Sequence, residues 1–341
     1  MNTNHSGSSR RMFLLTSPLT IASFKLGIPG PTALAAGEAG YSDSHVHLDS
    51  YSAEALQKAL AGMKEKSVSL VMNVSINLAT SASAIKLAQT YGSIYAAVGI
   101  HPGETVPLTA EVKKKLEELS GQKRVVAFGE VGLMYERSTG TKEQQQQLFR
   151  YQLSLANNLH IPIDIHYSND AHQDIVSMCK EAKGSRGIVH GFSGNMAELK
   201  DWLGLGYNIS IGKSVTGMGG MGGGSGRVSP TEEVIKAIPS DRLITETDSM
   251  FMGAGSRWNE MGPRSAPPRG GAPGGDTPGG APGGRQGEAP GGGQGGPSMQ
   301  EEFNQPADVV NVAAKIASIR GVSADEIGNI ATKNLRSVLK I

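Results

Sequence analysis

Ile161-Pro-Ile-Asp-Ile-His166 and Gly187-Ile-Val-His-Gly191 flank an amphipathic run over 170–182. Short apolar run, longer helical run, short apolar run: the pattern predicts a strand, a crossover helix and a second strand parallel to the first. Each of the two strands closes on a histidine. Working outward, the same alternation recurs along the body of the chain. Strands are expected near 43–48, 69–75, 94–100, 125–131, 161–166, 187–191, 207–212 and 243–248. Helical patterns lie between them at 53–65, 78–91, 109–120, 141–158 and 170–182. Within 145–158, Leu148, Tyr151, Leu153 and Leu155 are read as the apolar side, with the glutamines opposite. Eight such units predict an α/β fold, a (β/α)8 TIM barrel, which needs about 250 residues. An open doubly wound sheet is the alternative; metal-capable residues spread around all the units favour closure.

Two low-complexity stretches interrupt the alternation. Gly217 to Gly226 is nearly all glycine with Met and Ser, and 253–300 holds 17 glycines and 8 prolines. Such composition buries too little apolar surface to order itself, so both are expected as disordered loop insertions, the second after strand eight. Both follow strands and would emerge on the face where a barrel carries its active site, so a substrate-gating lid is the other reading. Beyond them Asn304-Gln-Pro-Ala-Asp308 opens a helical pattern. Ser323 is expected to cap the last helix, with Glu326 completing a capping box.

Residues 1–35 read as a twin-arginine export signal. Ser9-Arg-Arg-Met-Phe-Leu-Leu15 precedes a modest apolar stretch, and Ala33-Leu-Ala35 offers small residues for cleavage. Lys25, Gly27 and Pro29 interrupt the stretch, which argues against stable membrane insertion. This predicts a partner in the twin-arginine export machinery, a periplasmic destination and a barrel over 36–341; a cytoplasmic tail that happens to contain Arg-Arg is the plain alternative. The segment carries Arg10, Arg11 and Lys25 and no acid, which leaves 29 basic against 31 acidic residues in the body. A near-neutral body argues against long-range electrostatic capture of nucleic acid but not against local recognition of a strand end. Cys179 is the only cysteine, so no intramolecular disulfide forms.

Chemistry gathers at the strand ends. His45 and His47 lie two apart on strand one, so both point to the same face. Buried imidazoles need partners, and a metal ion supplies one; a hydrogen-bonded core pair is the alternative. Glu130 ends strand four, where an inward carboxylate needs a cation or a buried salt bridge. His166 and His190 end strands five and six, and Asp248 ends strand eight, where a turn or helix-cap Asp is the bland reading. Each residue alone could be structural, but six together predict a two-metal hydrolytic centre. The ions could be Mg, Mn or Zn.

These residues resemble the TatD family of metal-dependent deoxyribonucleases and hydrolases, a branch of the amidohydrolase-like barrels. The resemblance runs from about Tyr41 to Leu339, broken at the two Gly-rich stretches. It rests on Asp43 to Leu48, Gly99-Ile-His-Pro102, Gly129 to Leu133, the glutamine-rich helix from Gln145 to Ala156, Ile165-His166, His190 to Gly194 and Glu246-Thr-Asp248. It implies that His45, His47 and Asp248 hold one ion and His166 and His190 the other, with Glu130 bridging. Asp248 would act as general base, and His101 would contact a substrate phosphate or serve structure. Asp43 and Asp49 are read as supporting or turn residues rather than ligands.

The chain departs from the family pattern at Met134, where Asp is usual, at Ser168, where an Arg is common, and at Ser249, where Ala is usual. The ligand set is intact while substrate-contact positions differ. The leading expectation is a metal-dependent phosphodiesterase or deoxyribonuclease that releases nucleotides from DNA ends. One alternative keeps the metals and takes a lactone, a cyclic amide or a small phosphate ester. Another is an exported, non-catalytic interaction protein on a degenerate barrel.

Overall fold

A computed structural model describes Met1 and residues 40–136, 138, 140–217, 229–250 and 305–341. The expected export signal over 1–35 (Met1 apart) lies outside the described residues, as do 218–226 and 253–300 of the two low-complexity stretches. No helix among the described residues is long and apolar enough to cross a membrane.

The expected barrel forms. Its strands are β1 (Tyr41–His47), β2 (Val68–Val74), β3 (Ile94–Val98), β4 (Val125–Gly132), β5 (Ile163–His166), β6 (Gly187–His190), β7 (Asn208–Ile211), β8 (Leu243–Thr245) and β9 (Ser249–Met250). All neighbours are parallel, in the order β8-β7-β6-β5-β4-β3-β2-β1-β9. The helices are α1 (Ala53–Glu65), α2 (Leu78–Thr90), α3 (Ala110–Ser120), α4 (Lys142–Leu159), α5 (His172–Glu181), α6 (Met196–Gly204), α7 (Glu232–Ala237), α8 (Val309–Arg320) and α9 (Ala324–Leu339). Polar caps set their starts. Asn77, Thr141 and Asn195 each form a full capping box, and Ser52, Thr109 and Thr231 accept one backbone N–H apiece. At Ser323 only the N-cap half of the expected box is seen, the Glu326 N–H donating to Oγ at 3.1 Å.

Strand eight differs from the expected continuous run over 243–248. β8 pairs with β7 and β9 pairs with β1, so the two pieces carry the sheet round to its first strand. Between them Glu246-Thr-Asp248 leaves the ladder, because the Asp43 carboxylate takes both the backbone N–H (3.0 Å) and the hydroxyl (2.5 Å) of Thr247. Asp248 turns the chain at φ +53°, a left-handed conformation that Asp tolerates better than most residues. β3 stops at Val98 because the Gly99 N–H turns to the Ser75 and Ser81 hydroxyls.

Most of the core lies between the sheet and the surrounding helices. A second apolar cluster joins Leu70, Met72, Ala97, Ile188 and Ile244 of the strands to Leu335, Val338 and Leu339 of α9. The polar strand-end residues sit above it, toward the C-terminal ends of the strands. The buried stripe of α4 is Gln145, Leu148, Phe149, Gln152, Leu153 and Ala156. For Gln145 and Gln152 that corrects the reading which set the glutamines outside, while Gln147 is exposed as expected. Gln152 exchanges two hydrogen bonds with the Ile100 backbone (2.8 and 3.2 Å), and Gln145 accepts the Met134 N–H at 2.8 Å. Both brace loops at the strand ends.

Candidate metal centre

Strand register assembles the site. β5 and β6 pair His166 with His190, and β1 brings His45 and His47 up beside Asp248, whose N–H donates to the His45 carbonyl at 3.0 Å. Glu130 reaches in from β4. Gly129 beneath it leaves room for Asp164, since a Cβ there would lie 2.7 Å from the Asp164 Cβ.

Hydrogen bonds orient the imidazoles. His45 Nδ1 donates to Asp164 Oδ2 at 2.7 Å, and His47 Nδ1 donates to the Val74 carbonyl at 2.8 Å. His190 Nδ1 lies 2.8 Å from Glu246 Oε1. With the proton on Nδ1, each ring turns an Nε2 lone pair inward. The three Nε2 atoms face the same carboxylates: His45 at 3.6 Å and His47 at 3.9 Å from Glu130 Oε2, His190 at 3.8 Å from Glu130 Oε1. Asp248 Oδ1 lies 3.5 Å from His47 Nε2 and 4.0 Å from His45 Nε2, and its Oδ2 lies 3.9 Å from His190 Nε2. His166 faces the centre with Nδ1, 2.5 Å from Glu130 Oε1. His45 and His47 bring their Nε2 atoms to 3.2 Å, and His45 stacks on His190 with ring centroids 3.5 Å apart.

Two lone pairs that close need a proton or a cation between them. Without metal, protons do the work. Burial would lower the His45 pKa, but Asp164 and Glu130 outweigh it and hold it well above the usual range. Burial would raise Glu130, yet the surrounding imidazoles, His101 and His166 foremost, carry it well below the usual carboxylate range. Imidazole nitrogens and carboxylate oxygens, with no thiolate, suit Zn, Mn or Mg. The six expected residues fall into close groups: His45 with His190 and Asp248, and His45 with His47 and Glu130. A third group joins His101, Glu130 and His166, so Glu130 is common to two of the three.

His101 differs from the other rings. Its Nδ1 accepts the Gly103 N–H at 2.9 Å, so a neutral ring carries its proton on Nε2. That N–H points at Glu130 Oε1 (3.5 Å) and His166 Nδ1 (3.2 Å). His101 is built as a donor.

Sequence reasoning gave no role to Asp164 or Glu246, the two fully buried carboxylates behind His45 and His190. Their position two residues before His166 and before Asp248 was the available signal. Asp43, read as a supporting or turn residue, accepts the N–H groups of His45 and Thr247, and burial pushes its pKa up to about 8. Asp49 lies in the buried turn after β1. The Ser168 hydroxyl donates to Asp170, whose other oxygen takes the N–H groups of Tyr135 (2.8 Å) and Glu136 (2.9 Å). The loop that could have held a guanidinium is thus a carboxylate clamp.

Known proteins resemble this chain in sequence and fold. The family model described as "TatD related DNase" matches residues 42–340. The uncharacterized metal-dependent hydrolase YabD of Bacillus subtilis is 29% identical over 302 residues, covering 88% of this chain and 98% of its own length. A 3'-5' ssDNA/RNA exonuclease TatD from Pectobacterium parmentieri is 26% identical over 281 residues, covering 82% of this chain and 90% of its own. Among solved structures, the TatD homolog YJJV from Escherichia coli superposes with a TM-score of 0.63 at 22% identity, over 88% of this chain and 98% of that one. A TatD family hydrolase from Entamoeba histolytica gives 0.63 at 21%, over 88% and 97%.

Proposed function

This chain belongs to the family of TatD-related DNases, metal-dependent hydrolases, and from that premise we propose that it is a two-metal phosphodiesterase releasing nucleotides from the ends of DNA strands. The observation that carries the reading is the convergence of three inward Nε2 lone pairs, His166 Nδ1 and the Glu130 and Asp248 carboxylates on one small volume. His45, His47 and Asp248 would hold one divalent cation, His166 and His190 the other, and Glu130 both. Bound there, Mg, Mn or Zn would supply Lewis acidity at the phosphoryl oxygen and lower the pKa of water.

The chain's own groups do the rest. Asp248 is the most exposed of the six, its side chain 35% accessible against 5% for Glu130. It is the group placed to take a proton from the attacking water. His101 Nε2–H donates to a phosphoryl oxygen as charge develops there. Asp164 and Glu246 keep His45 and His190 in the tautomer that faces the cations.

The deciding experiment incubates purified protein with end-labelled single-stranded DNA and Mg, Mn or Zn in turn. Mononucleotide release is expected with at least one ion, and His101→Asn should slow it by about ten- to a hundredfold. No release with any ion, alongside turnover of a lactone or a small phosphate ester, would instead favour the second reading. The clamp formed by Ser168 and Asp170, in a loop with no guanidinium, is what recommends that alternative. A degenerate scaffold fits poorly with a complete ligand set.

Export to the periplasm through the twin-arginine machinery is proposed from the Ser9–Leu15 motif alone. Changing Arg10 and Arg11 to Lys should leave the protein in the cytoplasm. Unchanged secretion would reject the assignment.

A further inference from the structure

We propose that Met134 is a specificity-determining residue whose thioether seats the base of the nucleotide being released, so that an aromatic group beside the scissile phosphate is preferred. The inference rests on the phosphodiesterase reading and adds to it which part of the strand is selected.

The His101 ring has two working edges. Nε2 faces the metal centre, 3.5 Å from Glu130 Oε1, while Nδ1 on the other edge accepts the Gly103 N–H at 2.9 Å. Met134 packs beside that second edge. A Cβ on Gly103 would come within 2.9 Å of His101 Nδ1 and within 3.2 Å of Met134 Cε. The bare glycine is what lets the methyl group lie against the turn that carries the histidine. Met134 itself is half-buried, so part of the thioether stays open to a ligand. A base stands off from its own phosphate by the width of a sugar. The imidazole ring supplies a comparable offset between Nε2, where a phosphoryl oxygen is held, and the thioether.

The loop that carries Met134 is held along its backbone. The Met134 N–H donates to the buried Gln145 Oε1 at 2.8 Å, and the next two N–H groups go to Asp170 Oδ2 at 2.8 and 2.9 Å. The Pro102 carbonyl accepts the hydroxyls of Thr105 (2.7 Å) and Ser138 (2.6 Å), which ties the turns after β3 and β4 together. Both hydroxyls are thereby spent within the wall. A side chain on so fixed a backbone needs little further ordering to meet a ligand, which is the advantage of a preorganised contact. Sulfur is polarizable and packs favourably against aromatic rings. The Asp usual at this position in the family would instead set a carboxylate near the phosphate, and like charge repels it. Met134 therefore exchanges a charge for an apolar, ring-compatible surface beside the histidine that meets the phosphate.

The test compares wild type, Met134→Ala, Met134→Gln and Met134→Leu on two substrates, an oligothymidylate and the same strand with an abasic residue at each end. Steady-state cleavage gives KM and kcat separately. Wild type should show a KM about three- to tenfold lower for the strand with terminal bases, the range a sulfur–aromatic contact supports. Met134→Ala should remove that preference by raising KM on the base-bearing strand alone, with kcat within threefold of wild type. Met134→Gln keeps the length of the side chain but not its apolar surface; it should also lose the preference, and it keeps the test alive if Met134→Ala fails to fold. Met134→Leu, close in volume and apolar, should retain most of it. Wild type that cleaves both strands equally well would overturn the assignment. So would a preference that survives in the folded Ala or Gln variant, or a loss of equal size on both strands, which would mark Met134 as a support for His101 only. Wild type that cleaves neither strand with any divalent ion would instead sink the phosphodiesterase reading, and this inference with it.

Discussion

Asp248→Asn should lower kcat by about three orders of magnitude at saturating metal, a loss of the size general-base removal produces. KM should stay within a few-fold of wild type. The expectation comes from where strand eight breaks. At φ +53° Asp248 ends the excursion that switches pairing from β7 to β1, and its N–H is anchored on the His45 carbonyl. The carboxylate is thereby held against three Nε2 atoms yet remains a third accessible, the only one of the six expected ligands open to that degree. Asn keeps the shape and one acceptor oxygen but cannot take up a proton. It also weakens the cation site, so the measurement must be made across a metal titration to a plateau. Activity within tenfold of wild type on that plateau would mean that another group takes the proton. Asp164→Asn provides the contrast. That carboxylate is fully buried behind His45 and acts through it, so its loss should appear as about ten- to a hundredfold weaker metal binding with kcat recovered at saturation.

The same residues show what could be read from the chain and what could not. His45, His47, Glu130, His166, His190 and Asp248 were legible because alternation along a parallel strand fixes which side chains point inward and which strand end they reach. Asp164 and Glu246 stood in the quoted strand-end motifs but were given no role. Their partners were not legible, because His45 lies 119 residues from Asp164 and only the closed ring brings them together. Gln145 and Gln152 were misplaced for a related reason. Periodicity sorts by polarity and puts glutamine outside, but here each satisfies backbone groups of a strand-end loop, in the case of Gln152 one 52 residues away. The break in strand eight likewise depends on Asp43, 204 residues from Thr247. His101 was expected to contact a substrate phosphate or serve structure, but which nitrogen carries its proton was not legible. Its proton is placed by the backbone N–H of Gly103, which takes its position only when the chain turns after β3.

Stripping the cations should destabilise the fold, and the penalty should grow as pH rises. Asp43, Glu130, Asp164 and Glu246 are all buried at the centre, with Asp248 beside them. In the metal-free protein the compensating charge comes from protons on imidazole. His45 is held above its unfolded pKa, so its contribution is complete below about 6.5 and disappears as pH climbs through the raised value. Asp43 acts in the same direction: with its carboxyl raised from 3.8 to about 8 by burial, ionising it costs the folded state progressively across that interval. Glu130 is lowered and adds stability above its unfolded pKa, which is lost only as pH falls into the acid range. Between neutral and mildly alkaline pH the metal-free protein therefore loses stability from His45 and Asp43 with no offset from Glu130. Divalent cations replace those protons, so loading releases protons and tightens with pH. At a free-ion concentration a thousandfold above Kd, one site adds about 4 kcal/mol. At roughly 2 °C per kcal/mol for a chain of this size, Tm should rise by about 8 °C. Thermal melts of chelator-treated and metal-loaded protein at pH 6 and pH 9 check both points. The gap in Tm should be wider at pH 9; a gap that is constant or narrower there would show that buried protons are not what the cations displace.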